Sequence, residues 1–170
     1  MDLKAIIRDV PDFPKKGILF KDITPLLLHP GAFSQAVDEL VAPYKFSKLS
    51  AIAGIESRGF ILGAAMALKL GVGFIPIRKP NKLPYKTRKK QYSLEYGSDT
   101  VEVHEDAVKT GERVLLVDDV IATGGTAKAA SELLRELGGE LVGIAFLVEL
   151  TFLKGIEKLS GEKVFSLIKF

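Results

Sequence analysis

The sequence predicts an α/β fold with a mainly parallel central sheet flanked by helices. Short β-rich runs recur with helical patterns between them, as in consecutive βαβ units. One run, Val114 to Val117, is apolar at four consecutive positions, so both of its faces need cover and it belongs at the centre of a sheet. A chain of 170 residues, 47% of them apolar, suffices for one ordinary core, and a single domain over 1–170 is expected.

The elements follow in order. Residues 1–48 open Pro-rich and carry an amphipathic pattern in "GAFSQAVDELVAPY"; they are expected to form an N-terminal cap, or hood, over the sheet edge. "LSAIAGI", Leu49 to Ile55, reads as a strand. In "FILGAAMALKLG" the residues Ile61, Ala65 and Leu68, and likewise Leu62, Met66 and Lys69, fall at helical spacing, and Gly71 suits the helix end. "VGFIPIR" is the next strand and "RVLLVDD" the central one, followed by a helix from Gly125 to Leu137 that Gly138 and Gly139 stop. "LVGIAFLVEL" and "KVFSLIKF" complete the sheet. "QYSLEYGSDTVEVHED" alternates instead, with Gly97-Ser98 between its halves, and predicts a β-hairpin standing off the sheet. With the basic segment before it, this hairpin makes a flap over 79–105.

Composition narrows the function. Cysteine is absent, which excludes disulfides, thiolate nucleophiles and Cys-containing zinc sites, and fits a reducing cytoplasm. No apolar run approaches the roughly 18 residues of a spanning helix, and no leader pattern opens the chain, so no membrane association is expected. The net charge of +3 is local: "RKPNKLPYKTRKK", Arg78 to Lys90, has seven basic residues and no acid, and outweighs the rest of the chain. That distribution argues against a general nucleic-acid surface.

The chemistry concentrates in "VLLVDDVIATGGTAKAA", Val114 to Ala130. Ligands of open α/β sheets sit beyond the carboxyl ends of the strands, where a loop turns into a helix with unpaired N–H groups. Thr123, Gly124, Gly125 and Thr126 offer little-obstructed N–H groups, two hydroxyls and a helix N-terminus, which suit a phosphate dianion. Asp118 and Asp119 follow a buried strand, where unpaired carboxylates are costly, so they need hydroxyl or cation partners. Vicinal sugar hydroxyls fit; a metal-binding pair, or helix capping by Asp119, are the competing accounts. A P-loop is excluded because no Lys-Ser or Lys-Thr follows the glycines, and no G-x-G-x-x-G opens a helix. "GIESRG" lacks nucleophile-elbow spacing, and His29 and His104 alone support no triad or zinc site.

"VLLVDDVIATGGT" resembles the motif for phosphoribosyl pyrophosphate (PRPP) of the type I phosphoribosyltransferases. "PDFPKKGILFKDITPLL", "AGIESRGFILG", "IRKPNKLP", "YSLEYG" and "LVELTFLKGIEKL" extend the resemblance over essentially the full length, toward the members of that family that act on adenine. The resemblance implies the type I phosphoribosyltransferase fold and transfer of the phosphoribosyl group from PRPP to N9 of adenine, giving AMP and pyrophosphate. A related transferase for hypoxanthine, xanthine or orotate is the alternative, and a PRPP-sensing regulator that binds nucleic acid is the other.

Carried over residue by residue, the resemblance puts the 5-phosphate in the loop Ala122, Thr123, Gly124, Gly125, Thr126, and the ribose hydroxyls at Asp118 and Asp119. It puts pyrophosphate at Glu56, Ser57 and Arg58, with Lys82 and Arg78 as further cations, and a cis peptide at Glu56-Ser57. Adenine would meet Leu19, Phe20 and Lys21, the base edge being read by main-chain groups and Phe20 stacking on the ring. Lys21 stands where many relatives have Arg. Glu95 matches the family's acid/base candidate, delivered by flap closure, while Lys86 to Lys90 read as a solvated face. A magnesium ion (Mg2+), held mainly by PRPP and pyrophosphate oxygens with no direct protein ligand assigned, and a homodimer are implied as well; no nucleic acid is.

Overall fold

The computed structural model describes residues 1–94 and 97–170. In chain order it contains α1 (Leu3–Ile6), β1 (Arg8–Pro11), β2 (Leu19–Asp22), α2 (Thr24–Leu28), α3 (Pro30–Val41), β3 (Ala51–Ile55), α4 (Arg58–Leu70) and β4 (Gly73–Ile77). There follow β5 (Thr87–Ser93), β6 (Ser98–His104), β7 (Arg113–Ile121), α5 (Gly125–Glu136), β8 (Glu140–Glu149) and β9 (Val164–Lys169), with short 3₁₀ turns before β3 and between β8 and β9.

The apolar run Val114 to Val117 is the middle of β7, which lies at the centre of a five-stranded sheet in the order β4-β3-β7-β8-β9. All four pairings are parallel. Because side chains alternate across a strand, Leu115 and Val117 enter one core with Leu40 of α3 and Leu62 and Met66 of α4. Val114 and Leu116 enter the other, with Leu133 and Leu134 of α5 and Val101 and Val103 of β6. Each fully buried Leu of this kind contributes about 1.5–3 kcal/mol relative to exposure, so the double-sided burial fixes β7 firmly and with it the loop at its end.

Two expectations are corrected. The N-terminal residues do not simply cap the sheet edge: α3 packs beside α4 on one face of the sheet, because its apolar stripe of Ala36, Val37 and Leu40 needs a large covered surface. Only the β1–β2 hairpin reaches out toward the strand ends. The β5–β6 hairpin forms its own two-stranded sheet apart from the main one, as expected, but it is docked rather than free. Its Val101 and Val103 are buried, and Arg78 and Glu102 exchange main-chain hydrogen bonds of 2.9 and 2.7 Å just beyond β4. β5 also starts at Thr87, inside the basic segment, and Ser98 already belongs to β6 rather than to the turn. Lys90, expected on a solvated face, pairs with Glu132 and Glu136 of α5. His29 is exposed and caps α3, its Nδ1 accepting from the Ala32 N–H at 3.1 Å.

Candidate active site

The carboxyl ends of β3 and β7 open onto a cavity of about 570 Å³. Its walls combine Leu19, Phe20 and Lys21 of β2, the turn Glu56, Ser57 and Arg58, the acids Asp118 and Asp119, and Ala122 and Thr126. The loop Ala122 to Thr126 also walls a smaller pocket of about 100 Å³ against Asp118 and Ala127. Gly124 has φ +79° and so needs glycine, and α5 starts at the next residue, with its first N–H groups directed at the loop.

Asp118 and Asp119 differ in environment. Asp119 is buried and pairs with Arg58, while its N–H donates to Asp118 Oδ1 at 2.8 Å. Burial, together with the Asp119 charge beside it, pushes the Asp118 carboxyl well above the usual carboxylate range. The start of α4 presses close to this acid: a Cβ on Gly59 would lie 2.8 Å from Asp118 Oδ1. Any side chain there would push Asp118 aside, a constraint that spacing alone does not reveal.

Glu56 is read differently in the structure than in the sequence. It lines the cavity beside Ser57 and Arg58, and its carboxylate accepts from the Lys79 N–H and pairs with Lys82 at 3.1 Å and Arg78 at 3.3 Å. Burial alone would raise its carboxyl, but these donors outweigh it and hold it below the usual range. Two cations around one carboxylate leave net positive charge at the cavity rim. Arg78 and Lys82 therefore stand back from the wall; the basic residues that line the cavity are Lys21, Arg58 and Lys79, and of these Lys79 was not anticipated from the sequence. Lys79 is tied to Asp99 and to the Tyr92 hydroxyl, and although burial opposes its charge these partners raise its pKa. The peptide bond Glu56-Ser57 is cis, as the resemblance implies.

On the opposite wall, the Arg58 guanidinium lies 5.2 Å from the Phe20 ring centroid, and Phe13 packs edge-on against Phe20 at 5.1 Å. β2 pairs only with β1 in its two-stranded sheet, which leaves alternate main-chain groups on its other edge open to a ligand. The Lys21 ammonium is spoken for: it meets Asp9 at 2.6 Å and the Phe170 ring at 4.0 Å. Leu150 and Leu153, from the end of β8 and the turn after it, complete the apolar wall and were not anticipated. Glu95 lies outside the described residues.

Asp118 and Asp119 offer hard oxygen donors at the cavity, which suit a magnesium ion brought in on a substrate. No helix among the described residues is long and apolar enough to cross a membrane.

Residues 27–165 match the phosphoribosyl transferase domain family. An adenine phosphoribosyltransferase of Syntrophotalea carbinolica is 57% identical over 169 residues, covering 99% of both chains. The crystal structure of adenine phosphoribosyltransferase from Thermoanaerobacter pseudethanolicus is 52% identical, with a TM-score of 0.97 over 99% of this chain and 98% of that one. The enzyme from Saccharomyces cerevisiae, solved with adenine and an imino-altritol bisphosphate, is 45% identical with a TM-score of 0.92 over 98% and 96% of the two chains. Matched by the domain family over residues 27–165 and by adenine phosphoribosyltransferases at more than half identity over nearly its whole length, this chain belongs to the phosphoribosyltransferases, among the adenine phosphoribosyltransferases.

Proposed function

We propose that this chain transfers the 5-phosphoribosyl group of PRPP to N9 of adenine, releasing pyrophosphate and forming AMP, as a salvage enzyme of the cytoplasm built from a single domain over 1–170. The observation that carries the reading is the convergence on one cavity of a phosphate-shaped loop, an acid pair and an aromatic wall.

The 5-phosphate takes the loop Ala122 to Thr126, where the α5 N-terminus and two hydroxyls donate to it. The ribose hydroxyls lie against Asp118 and Asp119, with Arg58 holding Asp119 in place. Pyrophosphate departs toward Ser57, Arg58 and Lys79, while Glu56 gathers Arg78 and Lys82 at the rim and keeps the exit side positive. A magnesium ion brought in with PRPP beside Asp118 and Asp119 would supply charge neutralisation of the leaving group. Phe20 covers the base, and the open main-chain edge of β2 at Leu19 and Lys21 meets its polar rim; a carbonyl there favours the amino group at purine C6 and leaves an oxo group unpaired. Since the Lys21 ammonium is held by Asp9, Lys21→Arg should leave the adenine KM unchanged in steady-state assays. Glu95 takes up the N9 proton.

Pyrophosphate release from PRPP with magnesium, run in parallel with adenine, hypoxanthine, guanine, xanthine, orotate and no base, tests the reading. Release with adenine alone and AMP in equal amount is expected; release with another base would overturn the assignment of β2 as the selector. The active form is a homodimer, so light scattering at assay concentration should give twice the chain mass, and a monomer that turns over would contradict this.

A further inference from the structure

The Tyr92 hydroxyl, on β5, joins two parts of the site that are far apart in sequence. Thr126 Oγ1 donates to it at 3.1 Å and Lys79 Nζ at 2.9 Å, and it donates to Asp99 Oδ2 at 3.2 Å. Lys79 also pairs with Asp99 directly. The Tyr92 ring rests on the first residue of α5, where a Cβ on Gly125 would lie 3.4 Å from Cδ2, and the Lys79 ammonium stands 5.4 Å from the ring centroid. One phenol therefore touches the loop, the helix start and the cation of the cavity wall.

Each hydroxyl in this chain has a single proton and can turn it. Thr126 spends its proton on Tyr92, and Tyr92 spends its own on Asp99. A phosphate in the loop is acceptor-only and competes for the Thr126 proton. Once Thr126 donates to phosphate, its oxygen is free to accept, and Tyr92 can swing its proton from Asp99 to Thr126 while Lys79 continues to satisfy Asp99. No heavy atom has to move between the two arrangements.

We infer that Tyr92 is a positioning residue for PRPP: its hydroxyl holds Thr126 and Lys79 in one hydrogen-bonded unit and re-aims its proton toward Thr126 when the 5-phosphate takes the Thr126 proton. This rests on the transferase reading above. Removing the phenol oxygen leaves Thr126 without its partner behind the phosphate and Lys79 with Asp99 alone.

The test is steady-state kinetics of Tyr92→Phe, Thr126→Val and the double variant, with each substrate varied in turn and thermal midpoints measured alongside. Tyr92→Phe should raise the PRPP KM about tenfold, the loss of one hydrogen bond in a charged network, with the adenine KM and kcat unchanged. The double variant should lose less than the product of the two single effects, because the phenol acts in part through Thr126. An unchanged PRPP KM in Tyr92→Phe, an equal rise in both KM values, or fully multiplicative losses would overturn the inference. Failure of the unmodified protein to release pyrophosphate with adenine would instead strike the transferase reading, and this inference with it.

Discussion

Replacing Asp118 and Asp119 together by asparagine should lower kcat/KM for PRPP by about 30- to 2,000-fold, because Asp119 gives up a charge-assisted hydrogen bond of about 1.5–3 kcal/mol and Asp118 one of about 0.5–1.5 kcal/mol to the ribose hydroxyls. Steady-state kinetics at saturating adenine reads this directly, and an unchanged kcat/KM would remove the acid pair from the mechanism. The single variant Asp118→Asn carries a second, opposite expectation for stability. The Asp118 carboxyl is raised by burial and by the neighbouring Asp119, so from the ordinary aspartate value of 3.8 upward the folded protein holds a proton that the unfolded chain has lost. Through that window the native state binds more protons than the unfolded one, and unfolding free energy falls as pH rises until Asp118 itself ionises. Asparagine keeps the shape and removes the charge. Denaturant melts of Asp118→Asn should therefore show a flatter decline with pH above 3.8 and a more stable protein at the upper end of the window. A steeper decline would mean that the charge is stabilised in place.

Gly155→Ala should weaken PRPP use as severely as a change in the phosphate loop itself. Gly155 and Gly124 abut main chain to main chain: a Cβ on Gly155 would lie 2.2 Å from the Ala122 carbonyl oxygen and 3.0 Å from the Gly124 nitrogen. Gly155 is not among the positive-φ glycines, so alanine is conformationally allowed and only the contact forbids it. Relief requires the loop or the turn to shift by about 1 Å, and a misplacement of that size costs about 10²-fold in rate. The PRPP KM should rise with little change in the adenine KM. Gly73→Ala, whose added Cβ would make ordinary contacts of 3.7 Å, should leave both constants unchanged. Wild-type PRPP kinetics in Gly155→Ala would show that the loop tolerates displacement.

The contrast between these two sites marks where the sequence is informative. Asp118, Asp119 and the loop Ala122 to Thr126 are contiguous and follow an apolar strand, so the strand-to-helix seam and its anion-binding character are visible in one stretch of chain. Central placement of β7 follows equally from its apolar run, and the Leu62–Met66 row of α4 from its periodicity, whereas Ile61 and Leu68 of the other row the spacing offered are exposed. Gly155 is legible only as a glycine, because its role is a contact with a loop some thirty positions earlier. The same holds for Glu56: the sequence displays a carboxylate beside Arg58, but not that Arg78 and Lys82 fold back onto it and leave Lys79 at the wall.

By itself the sequence determined the βαβ plan, the central strand and the residue types that meet a phosphate and a sugar, since these depend on local periodicity and on groups adjacent along the chain. The tertiary structure decided which charges neutralise one another, how the β5–β6 hairpin docks on α5 through Lys90 and Tyr92, and which glycines must stay bare. The physical reason is that ion pairing and close packing depend on distances between segments remote in the chain, and side-chain type constrains those distances only after the sheet has brought the segments together.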